Sequence, residues 1–332
     1  MSLPLTRIYF IGAGAIGTSL GNALAKNPNL QVRLLSIEED VVRSINENHI
    51  NFRYFPSVPL HSHLTATTNI DELKKAEVIF LAIPSGETVR YLYENREHLS
   101  DSSVIINLAK GFGENHQTIS SCLADFLKNP LCSMKGPTFA RDIMNNQPTG
   151  FTVGSKEEAV FPLLRDVFRG SHIYLDFTTD IEGVEILSIL KNIYAIVIGI
   201  ADAHFDAPNL RFMILTKAFR EMRRILIHFN GREQTMFHYC GFGDFNLTAL
   251  NDLSRNRTLG LLIGKGFFTK DISDKVVLEG KIAVNIFCEE LCKNKAIVDF
   301  PIIRELHNVF NNQYDISSFV NRLLTFENDL TE

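Results

Sequence analysis

Ile8-Tyr9-Phe10-Ile11-Gly12-Ala13-Gly14-Ala15-Ile16-Gly17-Thr18 is the stretch on which the fold turns. A short β-branched and aromatic run stops at glycines spaced G-x-G-x-x-G, and a helical pattern from Thr18 to Lys26 ends before Asn27-Pro28. In such a strand–turn–helix, the first glycine permits a tight turn and the second lets the backbone approach a pyrophosphate. The third allows the helix to pack closely on the strand. The helix N-terminus then offers free N–H groups and a positive dipole end to the phosphates. Gly12, Gly14, Ala15, Ile16 and Gly17 are therefore the first cofactor-binding candidates.

Outward from this turn, continuous apolar runs alternate with helical patterns. Gln31–Leu35, Val78–Ile83 (cut by Pro84) and Val104–Leu108 (cut by Lys110-Gly111) read as strands, and Glu38–Asn48 as a helix. Continuous rather than alternating apolar strands predict a parallel sheet covered on both faces. Residues 1–178 thus read as an α/β, Rossmann-type dinucleotide-binding domain. Residues 179–332 read as an all-α, substrate-binding domain, with helices predicted over Ile181–Ile200, Leu210–Phe229, Leu247–Leu253, Val276–Lys293, Ile302–Val309 and Ile316–Leu324. The boundary is set at Thr178-Thr179-Asp180, a cluster suited to capping the next helix.

After the second strand the chain reads Ser36-Ile37-Glu38-Glu39. An acid at this place hydrogen-bonds a ribose 2′-OH, whereas NADP needs a cation for its phosphate. Glu38 therefore favours NAD, with NADP as the alternative and Arg33 and Arg43 as nearby cations.

Ile186–Ile200 carries a single charge, Lys191, in fifteen residues. Glu185, Ser188, Lys191, Asn192, Ala195 and Gly199 share one polar or small stripe of the helix. A desolvated lysine loses preference for its charged form and can exchange a proton near neutral pH, and Asn192 is an adjacent orienting partner. The alternative is a structural lysine reaching for the surface. Lys110 closes an apolar strand, at the end where α/β sheets bind ligands. Ser254-Arg255-Asn256-Arg257 groups two cations, a hydroxyl and an amide without an acid, a composition suited to phosphate. Gly241-Phe242-Gly243-Asp244 presents an acid on a glycine-bracketed turn, and no metal-ligand cluster is found.

The chain has 332 residues, 45% hydrophobic and 21% charged, which is ordinary globular composition. The net charge of −5 argues against a nucleic-acid partner. No uncharged run is long enough for membrane insertion, and no signal-peptide pattern opens the sequence, so a cytoplasmic location is expected. Five cysteines without a C-x-x-C pair predict neither a disulfide framework nor a zinc knuckle, and Cys288 and Cys292 are expected to pack side by side.

Taken in order, these motifs resemble the bacterial-type NAD(P)-dependent glycerol-3-phosphate dehydrogenase family. The resemblance also runs through Asn51-x-x-Tyr54-x-Pro56, Ile83-Pro84-Ser85, Gly136-Pro137-Thr138-Phe139-Ala140, Gly183-Val184-Glu185, Leu190-Lys191-Asn192, Glu279-Gly280 and Pro301-Ile302. It implies reversible hydride transfer between dihydroxyacetone phosphate and sn-glycerol 3-phosphate, feeding glycerophospholipid synthesis. It also implies Lys191 as the proton donor and acceptor. Lys110, Gly136, Thr138, Asp244, Ser254, Arg255 and Asn256 are the implied substrate residues. Pro84, Lys110, Ala140, Arg255 and Glu279 are implied on the cofactor side. A homodimer is an expectation of the family resemblance alone.

The chain departs from the family at Ala15-Ile16, at Ile37 (where an arginine is frequent), at Phe205–Asn209, at Thr216-Lys217-Ala218, at His238 and at Ala249. Two alternatives therefore stand: a related lysine-dependent reductase of another hydroxy or keto acid, and a non-catalytic dinucleotide-binding sensor. The Ser254–Arg257 run discriminates the first, because a plain carboxylate acceptor does not require it.

Overall fold

A computed structural model describes residues 5–325, apart from 206, 268–273, 294–295 and 312–314 and apart from the side chains of 274–279. The chain divides into two compact units, Met1–Glu185 with His238–Cys240, and Ile186–Phe237 with Gly241–Glu332. The units part at Glu185 rather than at the expected Thr178–Asp180, and three residues from the middle of the chain belong to the first unit.

The first unit is built on an eight-stranded sheet: β1 (Thr6–Ile11), β2 (Leu30–Leu35), β3 (Thr65–Thr67), β4 (Val78–Leu81), β5 (Val104–Asn107), β6 (Leu131–Lys135), β7 (Thr149–Ser155) and β8 (Ile173–Thr178). The strand order is β3-β2-β1-β4-β5-β6-β7-β8. Its first six places follow the Rossmann order. All pairings are parallel except β6–β7. The strands read from the apolar runs pair in parallel as expected, and the antiparallel pair lies in a stretch for which no strand was predicted. The link from Lys135 to Thr149 holds only the single-turn helix α5 (Ala140–Met144), too little to cover a sheet face as a full crossover helix does.

The other helices of this unit are α1 (Ala15–Leu24), α2 (Glu39–Asn48), α3 (Ser85–Asn95), α4 (Ile119–Ala124) and α6 (Phe161–Phe168). β4 and β5 are buried along their whole length. One face of the sheet packs Phe10, Leu34, Phe80 and Val153 under α1 and α6, with Phe10 and Phe80 stacked at 4.5 Å. The other packs Tyr9, Ile79 and Ile105 with Leu92 and Leu123. Two apolar layers on either side of the sheet account for the unbroken apolar runs in the sequence.

The second unit holds most of α7 (Ile181–His204), then α8 (Pro208–His228), α9 (Asp244–Leu250), α10 (Arg255–Gly264), α11 (Asp274–Lys293), α12 (Pro301–Asn311) and α13 (Ile316–Thr325). α7 is long and apolar enough to cross a membrane by composition, yet 94% of its apolar window is buried in the protein, as in a core helix. α10 is a helix for which no helical reading was made from the sequence. Its Gly260 and Gly264 weaken the helical signal, but both are needed by packing. A Cβ on Gly260 would run into Ile196 O of α7, and one on Gly199 would run into Arg257 O. The two backbones therefore cross in direct contact. Of the two cysteines expected to pack side by side on α11, Cys288 is buried and Cys292 is exposed.

Candidate active site

Within the first unit, the glycine turn is shaped by three different constraints. Gly12 has φ +111°, and a Cβ there would lie 2.6 Å from Ala82 O. A Cβ on Gly17 would run into Gly12 O. Gly14 is otherwise: its nearest non-local neighbours, Ala82 O and the Tyr54 ring, lie 4.0 Å away. Packing requires the first and third glycines, while at the second a Cβ would meet only ordinary van der Waals contacts, so its constraint is left to a ligand. α1 begins here with no side-chain cap and no acid in its first turn. Its leading N–H groups are thus available to an anion. The residues present fit a dinucleotide pyrophosphate.

Asn51, fully buried, donates its Nδ2 to Ala13 O (2.9 Å) and to Thr18 Oγ1 (2.8 Å), clamping the turn. Tyr54, three residues on, brings its half-exposed ring to Gly14. Neither residue was assigned a role from sequence. The Asn51-x-x-Tyr54-x-Pro56 motif was the signal that could have found them.

At the end of β2, Ser36 Oγ accepts from Glu38 N at 3.2 Å, and Ile37 is 90% exposed. Glu38 pairs with Arg53, which also reaches Asp40 at 3.0 Å. The Arg53 guanidinium holds the Asp40 carboxyl below the usual carboxylate range. Arg53, not weighed from sequence, is the cation at this corner. Arg33 is spent on Glu72 and on Thr65 Oγ1.

The ends of β4, β5 and β6 carry the remaining first-unit candidates on adjacent parallel strands. Pro84 caps α3, Lys110 is half-buried after β5, and Gly136 follows β6, with Thr138 Oγ1 donating to Gly136 O (3.2 Å) and Ala140 opening α5. A Cβ on Gly111 would run into Ser85 Oγ, so the Lys110 turn lies against the Pro84 turn.

In the second unit, Lys191 on α7 and Asp244 at the start of α9 form a buried ion pair, with the two residues 2% and 1% exposed. Asp244 follows not a simple turn but a π-helical turn, Tyr239–Gly243. Its Oδ2 has no hydrogen-bond partner among the described residues. Such an unmet buried acceptor is costly and uncommon in a folded protein. Asn192, expected as the orienting partner of Lys191, instead donates its Nδ2 to Ser188 O on its own helix (3.3 Å).

Ser254 caps α10, its Oγ accepting from Arg257 N at 3.3 Å. Arg255 is exposed and Asn256 half-exposed in the first turn of that helix, which carries no acid. Arg257 is buried and donates to Asp202, to Ala249 O (3.1 Å) and to Asp252 Oδ1 (3.2 Å). One of the two cations in this run is therefore structural. Glu279 lies on α11, but its side chain is outside the described residues.

Comparison with known proteins decides between the readings. Residues 7–161 match the model of the NAD-dependent glycerol-3-phosphate dehydrogenase N-terminus, and residues 180–321 match that of the C-terminus. The chain belongs to this dehydrogenase family. A glycerol-3-phosphate dehydrogenase [NAD(P)+] of Leptospira biflexa is 31% identical over 327 residues, covering 96% of this chain and 97% of its own. Its counterpart in Halothermothrix orenii is 29% identical over 322 residues, covering 96% and 94%. The crystal structure of glycerol-3-phosphate dehydrogenase from Coxiella burnetii superposes with a TM-score of 0.87 at 26% identity, over 97% of this chain and 99% of that one.

Two departures from the family pattern have structural accounts. Lys217 donates to Leu323 O (2.9 Å) and Leu324 O (3.0 Å), serving the last carbonyls of α13, and its partial burial lowers its pKa. His238 Nδ1 lies 2.9 Å from Asp176 Oδ2 within the first unit. The departure at Phe205–Asn209 includes Asp206, outside the described residues.

Proposed function

We propose that the protein is an NAD(P)-dependent oxidoreductase that interconverts dihydroxyacetone phosphate and sn-glycerol 3-phosphate, supplying glycerol phosphate for phospholipid synthesis. The observation that carries this reading is the buried Lys191–Asp244 pair with Asp244 Oδ2 left open. A substrate hydroxyl can donate to that oxygen, which fits a polyol and does not fit a simple apolar ketone. Lys191 Nζ, fixed by Asp244 Oδ1, gives a proton to the C2 oxygen on reduction and recovers it on oxidation.

The glycine turn would hold a nicotinamide cofactor, which would supply the hydride for C2 on reduction and take it up on oxidation. Gly12, Gly14, Ala15, Ile16 and Gly17 receive its pyrophosphate on the N-terminus of α1. Glu38 takes the adenosine ribose, and Pro84, Lys110, Ala140, Arg255 and Glu279 complete the cofactor contacts by family resemblance. Ser254, Arg255 and Asn256 hold the substrate phosphate, with the N–H groups of α10 adding to the Arg255 charge. Gly136 and Thr138 line the substrate, and Lys110 touches both ligands. NAD is favoured because Glu38 occupies the corner, while Arg53 keeps NADP acceptable. The cytoplasm as location and a homodimer as assembly belong to the same reading, and the family relationship supports them.

The test mixes purified protein with dihydroxyacetone phosphate and follows nicotinamide absorbance with NADH and NADPH in parallel. Oxidation of NADH, faster than that of NADPH, is the expected result. No turnover despite measurable cofactor binding would favour a different keto substrate or a sensor. Arg255→Ala should raise KM for dihydroxyacetone phosphate strongly, and an unchanged KM would remove the phosphate assignment.

A further inference from the structure

Asn107, the last residue of β5, is buried and uses every polar atom of its side chain. Its Oδ1 accepts from Ala109 N at 2.9 Å, closing the turn that delivers Lys110. Its Nδ2 donates to Glu185 Oε1, and Glu185 Oε2 accepts from Ser120 N and Ser120 Oγ, both at 3.0 Å. The main-chain oxygen of Asn107 accepts from Lys135 Nζ at 2.7 Å. Lys135 is completely buried and immediately precedes Gly136. One residue thus ties the ends of β5 and β6, the two strands that lead into Lys110 and into Gly136–Thr138, and its side-chain amide closes the Lys110 turn.

The orientation of the Asn107 side-chain amide is dictated from both sides. A carboxylate can only accept, so it fixes Nδ2 toward Glu185, and the Ala109 N–H can only donate, so it fixes Oδ1 toward the turn. Buried charges of this kind add little net stability over a well-packed apolar cluster. What they add is a single geometry. We propose that Glu185 is a positioning residue: acting through Asn107, it sets the conformation of the Ala109–Lys110 turn and so the placement of the Lys110 ammonium on the substrate. The inference rests on the reading of Lys110 as a ligand-binding residue. Lys135, from β6, holds the backbone of the same turn.

The substitution Glu185→Gln puts an N–H donor where Asn107 needs an acceptor. The Asn107 amide must then turn over, and Ala109 N loses its partner. Asn107→Asp instead sets a carboxylate against Glu185. In the double variant Glu185→Gln/Asn107→Asp the polarities match again: the new amide donates to the new carboxylate, whose second oxygen takes Ala109 N–H, and Ser120 keeps an acceptor.

The test measures KM for dihydroxyacetone phosphate and kcat in the full-length protein, together with thermal stability. Each single variant should raise KM by about tenfold, the equivalent of one hydrogen bond. The double variant should recover most of that loss. In a Lys110→Met background, Glu185→Gln should add no further rise in KM, because its effect passes through Lys110. Effects that multiply in that background, or a matched double variant no better than the singles, would overturn the proposal. Unchanged kinetics in Lys110→Met alone would instead overturn the reading of Lys110. Should Asn107→Asp fail to fold, the Glu185→Gln and Lys110→Met cycle decides by itself.

Discussion

The two places proposed to receive ligands, the glycine turn of the first unit and the Lys191–Asp244 pair of the second, are built by opposite means. The turn is made of backbone from one short stretch, and its chemistry comes from side chains that are missing: Gly14 is uncrowded, and the first N–H groups of α1 have no side-chain cap. The pair is made of side chains from distant positions, carried by α7 and α9 and buried together. A backbone site tolerates neighbours that change, as Ala15 and Ile16 do here, provided the turn itself survives. A buried charge pair tolerates almost nothing, because either partner alone is an uncompensated charge.

The largest effect should follow from breaking the pair. Lys191→Met is expected to lower kcat by roughly 10²–10⁴, the range for a lost acid–base group, with NADH binding retained. Since Asp244 is then a buried carboxylate without its cation, stability falls as well, by roughly 3–5 kcal/mol. Lys191→Met/Asp244→Asn removes that charge and should regain the stability but not the rate. Turnover near wild type in either variant would refute the role given to Lys191.

Another buried acid of the second unit makes its stability depend on pH. Glu221 on α8 accepts from Tyr194 Oη (2.8 Å), Ile302 N (2.9 Å) and Ile303 N (2.8 Å), capping α12. Burial pushes its carboxyl up from 4.5 to about 7, against those hydrogen bonds. Between these values the folded protein keeps a proton that the unfolded chain has lost. Stability therefore falls as pH rises through that window, by about 1.4 kcal/mol per unit from this group, and levels off above it. Glu221→Gln should remove that slope. Urea denaturation at several pH values compares the two proteins, and identical slopes would show that Glu221 does not titrate there.

The glycines sharpen the comparison from the other side. Gly12→Ala meets both a positive φ and Ala82 O, and should cost roughly 1–3 kcal/mol of stability or more. Gly14→Ala meets only ordinary contacts at 4.0 Å, and should change stability by less than about 0.5 kcal/mol while weakening NADH binding. Denaturation and fluorescence titration separate the two. Equal losses of stability would mean that the turn, not the ligand, requires Gly14.

What was legible in the sequence follows the same divide. The β1–turn–α1 unit could be read directly because its causes are local: an apolar run, glycines at fixed spacing, then a helical period. α10 was not legible as a helix, since its glycines are demanded by α7, far away in the chain. The antiparallel β6–β7 pair was hidden for a related reason: strand direction is set by how the link packs, which periodicity does not record. Lys191 was found because one charge on an apolar helix stands out. Its partner was misassigned to Asn192 because adjacency in sequence is visible and the approach of α9 is not. Arg257 looked like Arg255 in the sequence, and only its contact with Asp202 shows that it is structural.

The smallest expected effect concerns the charged corner of the first unit that is proposed to set cofactor preference. Glu38, Asp40 and Arg53 lie together at the end of β2, all of them substantially exposed. Solvent screens such pairs, so changes in cofactor preference should be modest. Glu38→Ala leaves Arg53 paired with Asp40 alone and removes the acid facing the ribose, so NADPH use relative to NADH should rise, on the order of two- to fivefold. Arg53→Ala should move the ratio the other way, since only the acids then remain. Measuring kcat/KM for both cofactors in both variants orders the causes. If Glu38→Ala leaves the ratio unchanged and Arg53→Ala abolishes NADPH use, the guanidinium alone sets the preference and the acid serves only to hold it. If neither variant changes the ratio, this charged corner does not set the preference, and the glycine turn is left as the site of discrimination.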